Sequence, residues 1–413
     1  MPALATLLPP NMNAHAENPY LFYAEAAEEA PAPLVGIAKL AAEGESVRAG
    51  HNVEYFTLES RSILNRCTAP RMPFTWTINP YRGCEFACKY CYARYTHEFM
   101  EIKDSLEFER QIYIKQGSCP TPVPAGDDDS TQLPNSPTLS PKDGDKGRAQ
   151  NRPGENLRYL LRRDLKKVKP GEEIAIGTAT DPYQPAERRY EVTRTLLEEF
   201  ALHSGFDIGI VTKSDLIVRD IDVLRRVAKT NRLFVNLTIT TLDPQLARIL
   251  EPRAPRPDLR LKALRALNVS GIDAGVICAP VLPGITDRPR DLEQLVAETA
   301  RHGGKYIFAN PLFLKPCSAS VFLPFLEKEF PQLVGEYKRR FEEKAFVSAA
   351  YRKRTSELMS KLRSKYGITY YFNRKKESGP QLVEAQQLGL FHEPEKRGPA
   401  AHAGMERRRK TMC

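Results

Sequence analysis

Six short apolar runs alternate with amphipathic stretches of helical period, and this alternation limits the fold more than any other feature of the chain. The runs cover residues 74–78, 173–178, 207–212, 233–239, 272–279 and 305–310. Helical patterns lie near 156–168, 186–203, 217–229, 257–268 and 289–302. Strands separated by helices pair parallel, because a parallel pair needs a crossover connection. The runs are apolar on both faces, as strands covered by helices on both sides are. The pattern predicts an α/β fold, a partial (β/α)6 TIM-like barrel, with an open doubly wound sheet as the alternative. With 41% hydrophobic and 27% charged residues in 413, the chain can bury such a core, and global disorder is excluded.

The rest of the chain reads differently. Residues 1–60 are rich in Ala, Pro and Glu with weak periodicity, and are expected to form a loosely ordered arm. The barrel is expected over residues 61–330, broken by a disordered insertion at 116–155 that carries seven prolines, no aromatic residue and the run Asp127-Asp128-Asp129. Residues 331–376 read as a basic helical extension, with Val334, Tyr337, Phe341 and Ala345 at helical spacing, and 377–413 as a flexible tail. The net charge is +10, and 331–376 alone holds thirteen Lys and Arg against four Glu. That concentration is either an electrostatic footprint for a polyanion or a solvated helix face. The best uncharged stretch, 274–286, is too short to span a membrane and carries Pro280, Pro283 and Gly284. No Lys or Arg precedes Lys39, so the positive end of a secretory signal is missing and a cytoplasmic location is expected.

Three of the eight cysteines, Cys84, Cys88 and Cys91, stand in the pattern CxxxCxxC just after the first strand. The C-terminal mouth of a parallel sheet is where α/β folds place their chemistry. Three thiolates can ligate three irons of a 4Fe–4S cubane and leave the fourth open for a small chelating molecule. Two other readings stay open: a structural zinc site with His97 as fourth ligand, and a thioredoxin-like pair at Cys88 and Cys91.

The motif, with an aromatic residue before the third cysteine, resembles the radical S-adenosylmethionine (radical SAM) superfamily. Asn79-Pro80-Tyr81-Arg82-Gly83-Cys84, Tyr90-Cys91-Tyr92-Ala93-Arg94, Thr96-His97-Glu98 and Thr180-Asp181-Pro182-Tyr183-Gln184-Pro185 resemble the branch that contains spore photoproduct lyase and its bacterial relatives of unassigned activity. The resemblance implies a 4Fe–4S cluster and SAM as cofactors. It further implies reductive cleavage of SAM to a 5′-deoxyadenosyl radical and a flavodoxin- or ferredoxin-like electron donor.

Other residues near the strand ends carry paired readings. The superfamily's Gly-Gly-Glu motif at the second strand end is absent. Thr178, Thr180 and Asp181 could replace it as acceptors for the SAM ammonium, or Asp181 could simply fix an Asp-Pro turn. Lys213 suits the SAM carboxylate or is an ordinary solvated lysine. Asn236, Thr238 and Thr240 alternate along the fourth strand, either as ribose or carboxylate contacts or as backbone-bonded core residues. Tyr90 and Tyr92 could lie against adenine or merely pack. His97 and Glu98 read as braces of the helix after the cysteine loop. The lyase's hydrogen-donating cysteine has no counterpart in Thr178-Ala179-Thr180, so its thymine-dimer chemistry is not carried over, and Cys278 reads as a structural core cysteine.

The expected function is therefore a radical SAM enzyme, with nucleic acid as the first choice of substrate. The alternatives are modification of a protein or small metabolite, and a nucleic-acid-binding module with a structural metal. Tyr370, Tyr371 and Phe372 beside Arg374, Lys375 and Lys376 suit unstacked bases. Gln387-Leu388-Gly389-Leu390-Phe391 resembles the peptide by which bacterial DNA polymerases and repair proteins dock on the sliding clamp.

Overall fold

The computed structural model describes residues 34–50, 52–68, 72–117, 154–342 and 344–368. Its first elements lie where the sequence predicts a loose arm. They are helix α1 (Gly36–Ala42) and strands β1 (Ser46–Gly50) and β2 (Val53–Ser60). The expectation fails over this part because β2 gains its partner from far along the chain. It pairs in parallel with a strand running from Gln111, Glu54 beside Gln111 and Leu58 beside Lys115, and buries Val53 and Leu58. No local period announces such a pairing.

Next come β3 (Asn65–Arg66), β4 (Trp76–Ile78), β5 (Tyr81–Arg82), the short helix α2 (Tyr95–Glu98) and β6 (Gln111–Gly117). Strands β1, β2, β6 and β5, in that order, form a small flanking sheet. The chain between β6 and the next helix, residues 118–153, lies outside the described residues.

Then the alternation begins: α3 (Glu155–Leu165), β7 (Glu173–Ile176), α4 (Glu187–Tyr190), α5 (Val192–Phe200), β8 (Asp207–Thr212), α6 (Ile221–Thr230), β9 (Arg232–Thr238), α7 (Pro244–Leu250), α8 (Pro257–Val269), β10 (Asp273–Val281), α9 (Pro289–Arg301) and β11 (Ile307–Pro311). Proline opens α7, α8 and α9, where its missing N–H costs nothing, and Asp243 caps α7 through the N–H groups of Gln245 and Leu246. The helix expected over 186–203 is broken at Glu191, which sits at φ +48°. The break is fixed by the Glu187 carboxylate, which accepts from the N–H groups of Thr193 and Arg194 and so caps α5.

Strands β4, β7, β8, β9, β10 and β11 lie side by side, all parallel, in the order in which the chain makes them. A doubly wound sheet needs a reversal of strand order, so that alternative is set aside. Strand β3 caps the β4 edge antiparallel, and among the described residues no ladder joins this edge to β11. The result is a mixed α/β fold whose parallel sheet is open, as a partial barrel is. Ile174, Ile176, Ile208, Ile210, Val235, Leu237 and Val276 are fully buried in it, each contributing about 1.5–3 kcal/mol by leaving water.

Beyond the sheet lie α10 (Pro316–Glu329), α11 (Val334–Phe341) and α12 (Ala349–Tyr366). The single long helix expected from residue 331 is two helices, and Ala345 is off the row begun by Val334. Between them the chain is drawn out against the segment after β11. Leu314 N–H donates to Ala345 O at 2.8 Å, and the rings of Phe313 and Phe346 lie 4.6 Å apart. Helix α12 returns onto α9, where Tyr366 Oη donates to Glu293 at 2.9 Å. The aromatic-basic cluster from Tyr370 and the clamp-like 387–391 lie outside the described residues. No helix among the described residues is long and apolar enough to cross a membrane.

Candidate active site

The loop after β5 carries the three cysteines, and its backbone is held at each of them. Cys84 N–H donates to Phe108 O at 2.9 Å, and Cys91 N–H donates to Cys88 O at 3.2 Å. The Arg94 guanidinium, 1% exposed, donates to Cys88 O at 3.1 Å and is neutralised by Glu109. Ser318, on α10, donates to Cys91 O at 2.9 Å, and Lys89 N–H reaches Leu250 O at the end of α7 at 2.9 Å. Gly83 opens the loop at φ +78°, and a Cβ there would stand 2.4 Å from Gln111 O, so only glycine fits.

Cys84 and Cys88 are buried and Cys91 is half-buried. Burial pushes the Cys84 thiol well up, reinforced by Asp181 and the other two cysteines, and it pushes Cys88 up to about 12. Cys88 and Cys91 thus act on Cys84, and Cys91 on Cys88, and a metal binding Cys84 and Cys88 must displace their protons. Among the described residues no three His, Cys, Asp or Glu side chains gather closely enough for a single metal ion. A cubane is itself several ångströms across and takes its ligands farther apart than one ion does, so three thiols on one fixed loop suit it as a donor set.

His97 does not join them. It is 1% exposed, its Nε2 lies 3.3 Å from Gln111 O, and its ring packs on Phe108 and Tyr113. The zinc reading thus loses its fourth ligand. Burial pushes His97 down to about 4. The unfolded chain takes up this proton near the ordinary histidine value, whereas the folded chain resists until about pH 4. Stability contributed by neutral His97 is therefore complete above about pH 6.5 and lost as pH falls towards 4, up to about 3 kcal/mol. Urea midpoints measured across that window should fall more steeply for the wild type than for His97→Phe. Parallel curves would show that this histidine is not the source.

The residues quoted for the SAM ammonium are drawn into a brace for the loop. Asn79 Nδ2 donates to Thr178 Oγ1 at 3.2 Å, and Asn79 Oδ1 accepts from Ala179 N–H at 2.7 Å. Thr180 Oγ1 donates to Gly83 O at 2.6 Å. Gln184 donates to the same carbonyl and accepts from Glu85 N–H, while Glu85 accepts from Ala186 N–H. Asp181 accepts from Thr212 Oγ1 at 2.6 Å, Lys213 N–H at 2.7 Å and Tyr183 N–H at 2.9 Å. Burial raises its carboxyl despite these bonds. The Asp-Pro turn is therefore present, and Asp181 joins the ends of β7 and β8. Tyr92 Oη donates to Thr178 O.

On the other side of the loop a buried polar network answers Cys88. Glu251 pairs with Arg260, both about 2% exposed or less. Tyr90 Oη donates to Glu251 and lies 3.0 Å from Thr240 Oγ1, which itself stands 3.1 Å from Glu251. Arg260 also donates to Thr238 O at 2.9 Å. Lys213 Nζ lies 5.7 Å from the Tyr90 ring centroid. Burial works against the Lys213 charge, but Cys88 and Glu251 outweigh it and hold the ammonium above the ordinary lysine range. So Tyr90, Lys213 and Thr240 do gather on the Cys88 side, and Thr238 joins through its backbone carbonyl. Asn236, one step back on β9, donates to Ile210 O and belongs to the sheet. Cys278 is fully buried in the core and pushed up to about 12 by burial. Sequence reasoning missed Glu251 and Arg260.

A sequential parallel sheet with a three-cysteine loop at its C-terminal mouth defines the class of fold on which iron–sulfur radical enzymes are built. The chain belongs to the radical SAM superfamily, whose family model matches residues 78–296, and it is an enzyme of that superfamily. The superfamily's cofactors are a 4Fe–4S cluster and SAM. An uncharacterized protein of Mycobacterium tuberculosis is 29% identical over 327 residues, 78% of this chain and 84% of that one. An uncharacterized protein of Methanocaldococcus jannaschii is 26% identical over 280 residues, 68% and 85% of the two chains. Among solved structures, spore photoproduct lyase complexed with dinucleoside spore photoproduct shares the fold at a TM-score of 0.51, with 14% identity, over 76% of this chain and 79% of that one. A variant of that lyase with bound AdoMet matches at 0.50 with 14% identity, over 75% and 79%.

Proposed function

We propose that Cys84, Cys88 and Cys91 hold one 4Fe–4S cluster and that SAM lies between it and the ends of β7, β8 and β9. The observation that carries this reading is the loop whose backbone is bonded at every cysteine. When bound, the cluster supplies the electron that cleaves SAM to a 5′-deoxyadenosyl radical. Lys213 offers the cation for the SAM carboxylate, since its backbone is anchored by Asp181 and its ammonium is poised over Tyr90. Asp181 and Thr180 act by holding Lys213 and the loop in place, and Tyr90, tied to Glu251, closes the floor against water.

The substrate we infer is a nucleic acid. The charge concentrated in 331–376 supports it, and so does the dinucleoside bound by the lyase that shares the fold. A flavodoxin- or ferredoxin-like protein is the electron donor that fits this chemistry. The test is anaerobic reconstitution with iron and sulfide, then dithionite and SAM. About one 5′-deoxyadenosine or more per chain is expected. No product above a protein-free control, in a preparation with full iron content, would defeat the reading.

A further inference from the structure

Two cations lie beside the cysteine loop, and among the described residues no anion is recorded as their partner. Arg82 ends β5 and stands opposite Tyr113 of β6. Lys115, two residues further along β6, shares that face. Lys115 is 5% exposed. Its backbone N–H is used by Pro80 O, and among the described residues no acceptor meets its ammonium. Arg82 Nε is buried and likewise has no partner among the described residues. Burial and the neighbouring Arg82 together push Lys115 down to about 7. Tyr95 lies close enough to feel the Arg82 charge, and Lys315 Nζ lies 4.3 Å from its ring centroid, adding a third cation at the edge.

A lysine 5% exposed and a half-buried arginine whose Nε is buried, both without a partner among the described residues, destabilise a fold, and each calls for an explanation. Cys84 and Cys88 do not provide one, since the side chains that act most on them include Asp181, Lys213 and Glu251, not this pair. We propose that Arg82 and Lys115, with Tyr95 and Lys315 at the rim, bind a phosphate-type oxyanion, free or as the phosphodiester of a nucleic acid. A guanidinium offers a planar fork to two oxygens and the ammonium a point charge to a third.

The test is thermal unfolding of the full chain, metal-free and cluster-loaded, with chloride replaced by phosphate at constant ionic strength up to about 50 mM. The wild type should gain about 3 °C or more in both forms. Lys115→Met should start above the wild type in chloride, because it removes an unpaired charge, and should not respond to phosphate. No phosphate-specific gain in the wild type overturns the proposal, and that arm needs no variant to fold. An undiminished gain in Lys115→Met or Lys115→Gln also overturns it, because the anion then sits elsewhere. A gain that vanishes on cluster loading does the same, because the cations then answer the cluster. A short single-stranded DNA distinguishes the sources. Binding weakened about tenfold by Lys115→Met marks a phosphodiester, whereas unchanged binding beside an intact phosphate response marks a free anion.

Discussion

Chains in which Cys84, Cys88 or Cys91 is replaced by Ala should purify colourless after anaerobic reconstitution, with iron falling from about four atoms per chain to below one. SAM cleavage should fall to the level of a protein-free control. The effect is large because, in the proposed centre, each thiol is one of three from the protein, and two remaining thiolates would leave two irons without a protein ligand. Cys67→Ala, Cys119→Ala and Cys413→Ala should keep colour and iron. Iron, visible absorbance and 5′-deoxyadenosine measured on one preparation decide the matter. Full iron in any of the three loop variants would reassign the ligand set.

Glu251→Ala should cost about 3–5 kcal/mol, because Arg260, 1% exposed, is left charged inside the protein without its carboxylate. The thermal midpoint should drop by about 10 °C. Tyr90 and Thr240 lose the same acceptor, so the floor beneath Cys88 loosens as well. Adding Arg260→Leu to Glu251→Ala should recover part of the loss, since the stranded charge goes with it. Calorimetry on the two singles and the double forms the cycle. A Glu251→Ala midpoint within a degree of the wild type would mean that water reaches this pair and that it is not a structural bond.

The strands and the cysteine loop were legible in the sequence for different reasons. β8 is an unbroken apolar run and is found where expected, at Asp207–Thr212. The cysteines declare themselves by spacing alone. What was hidden is what depends on pairing across the fold. Glu251 and Arg260 look like two ordinary helix-end charges, and their meaning comes from Tyr90, 161 residues from Glu251. Asp181 was open to two readings, an acceptor for a ligand or an Asp-Pro turn, and the sequence could not show that the turn and Thr212 bring three donors of the protein's own to it. β2 was unreadable because its two buried apolar residues, Val53 and Leu58, lie on opposite faces of a strand of mixed polarity and break the period of two. The phosphate-type position is invisible for the same reason, since Arg82 and Lys115 meet only through the β5–β6 register.

The tether from Ser318 to the carbonyl of Cys91 spans 227 residues of chain. A ribosome makes the peptide from its N-terminus, so the local bonds to Phe108 and Arg94 can form early, while Lys89 N–H and Cys91 O remain untied until later segments follow. Leu250 must arrive to fasten Lys89, and α10 must arrive to fasten Cys91. The fastening of the loop is thereby ordered in time: a nascent chain carries the three cysteines on a hairpin held by local bonds, and only a finished molecule holds it clasped from α7 and α10.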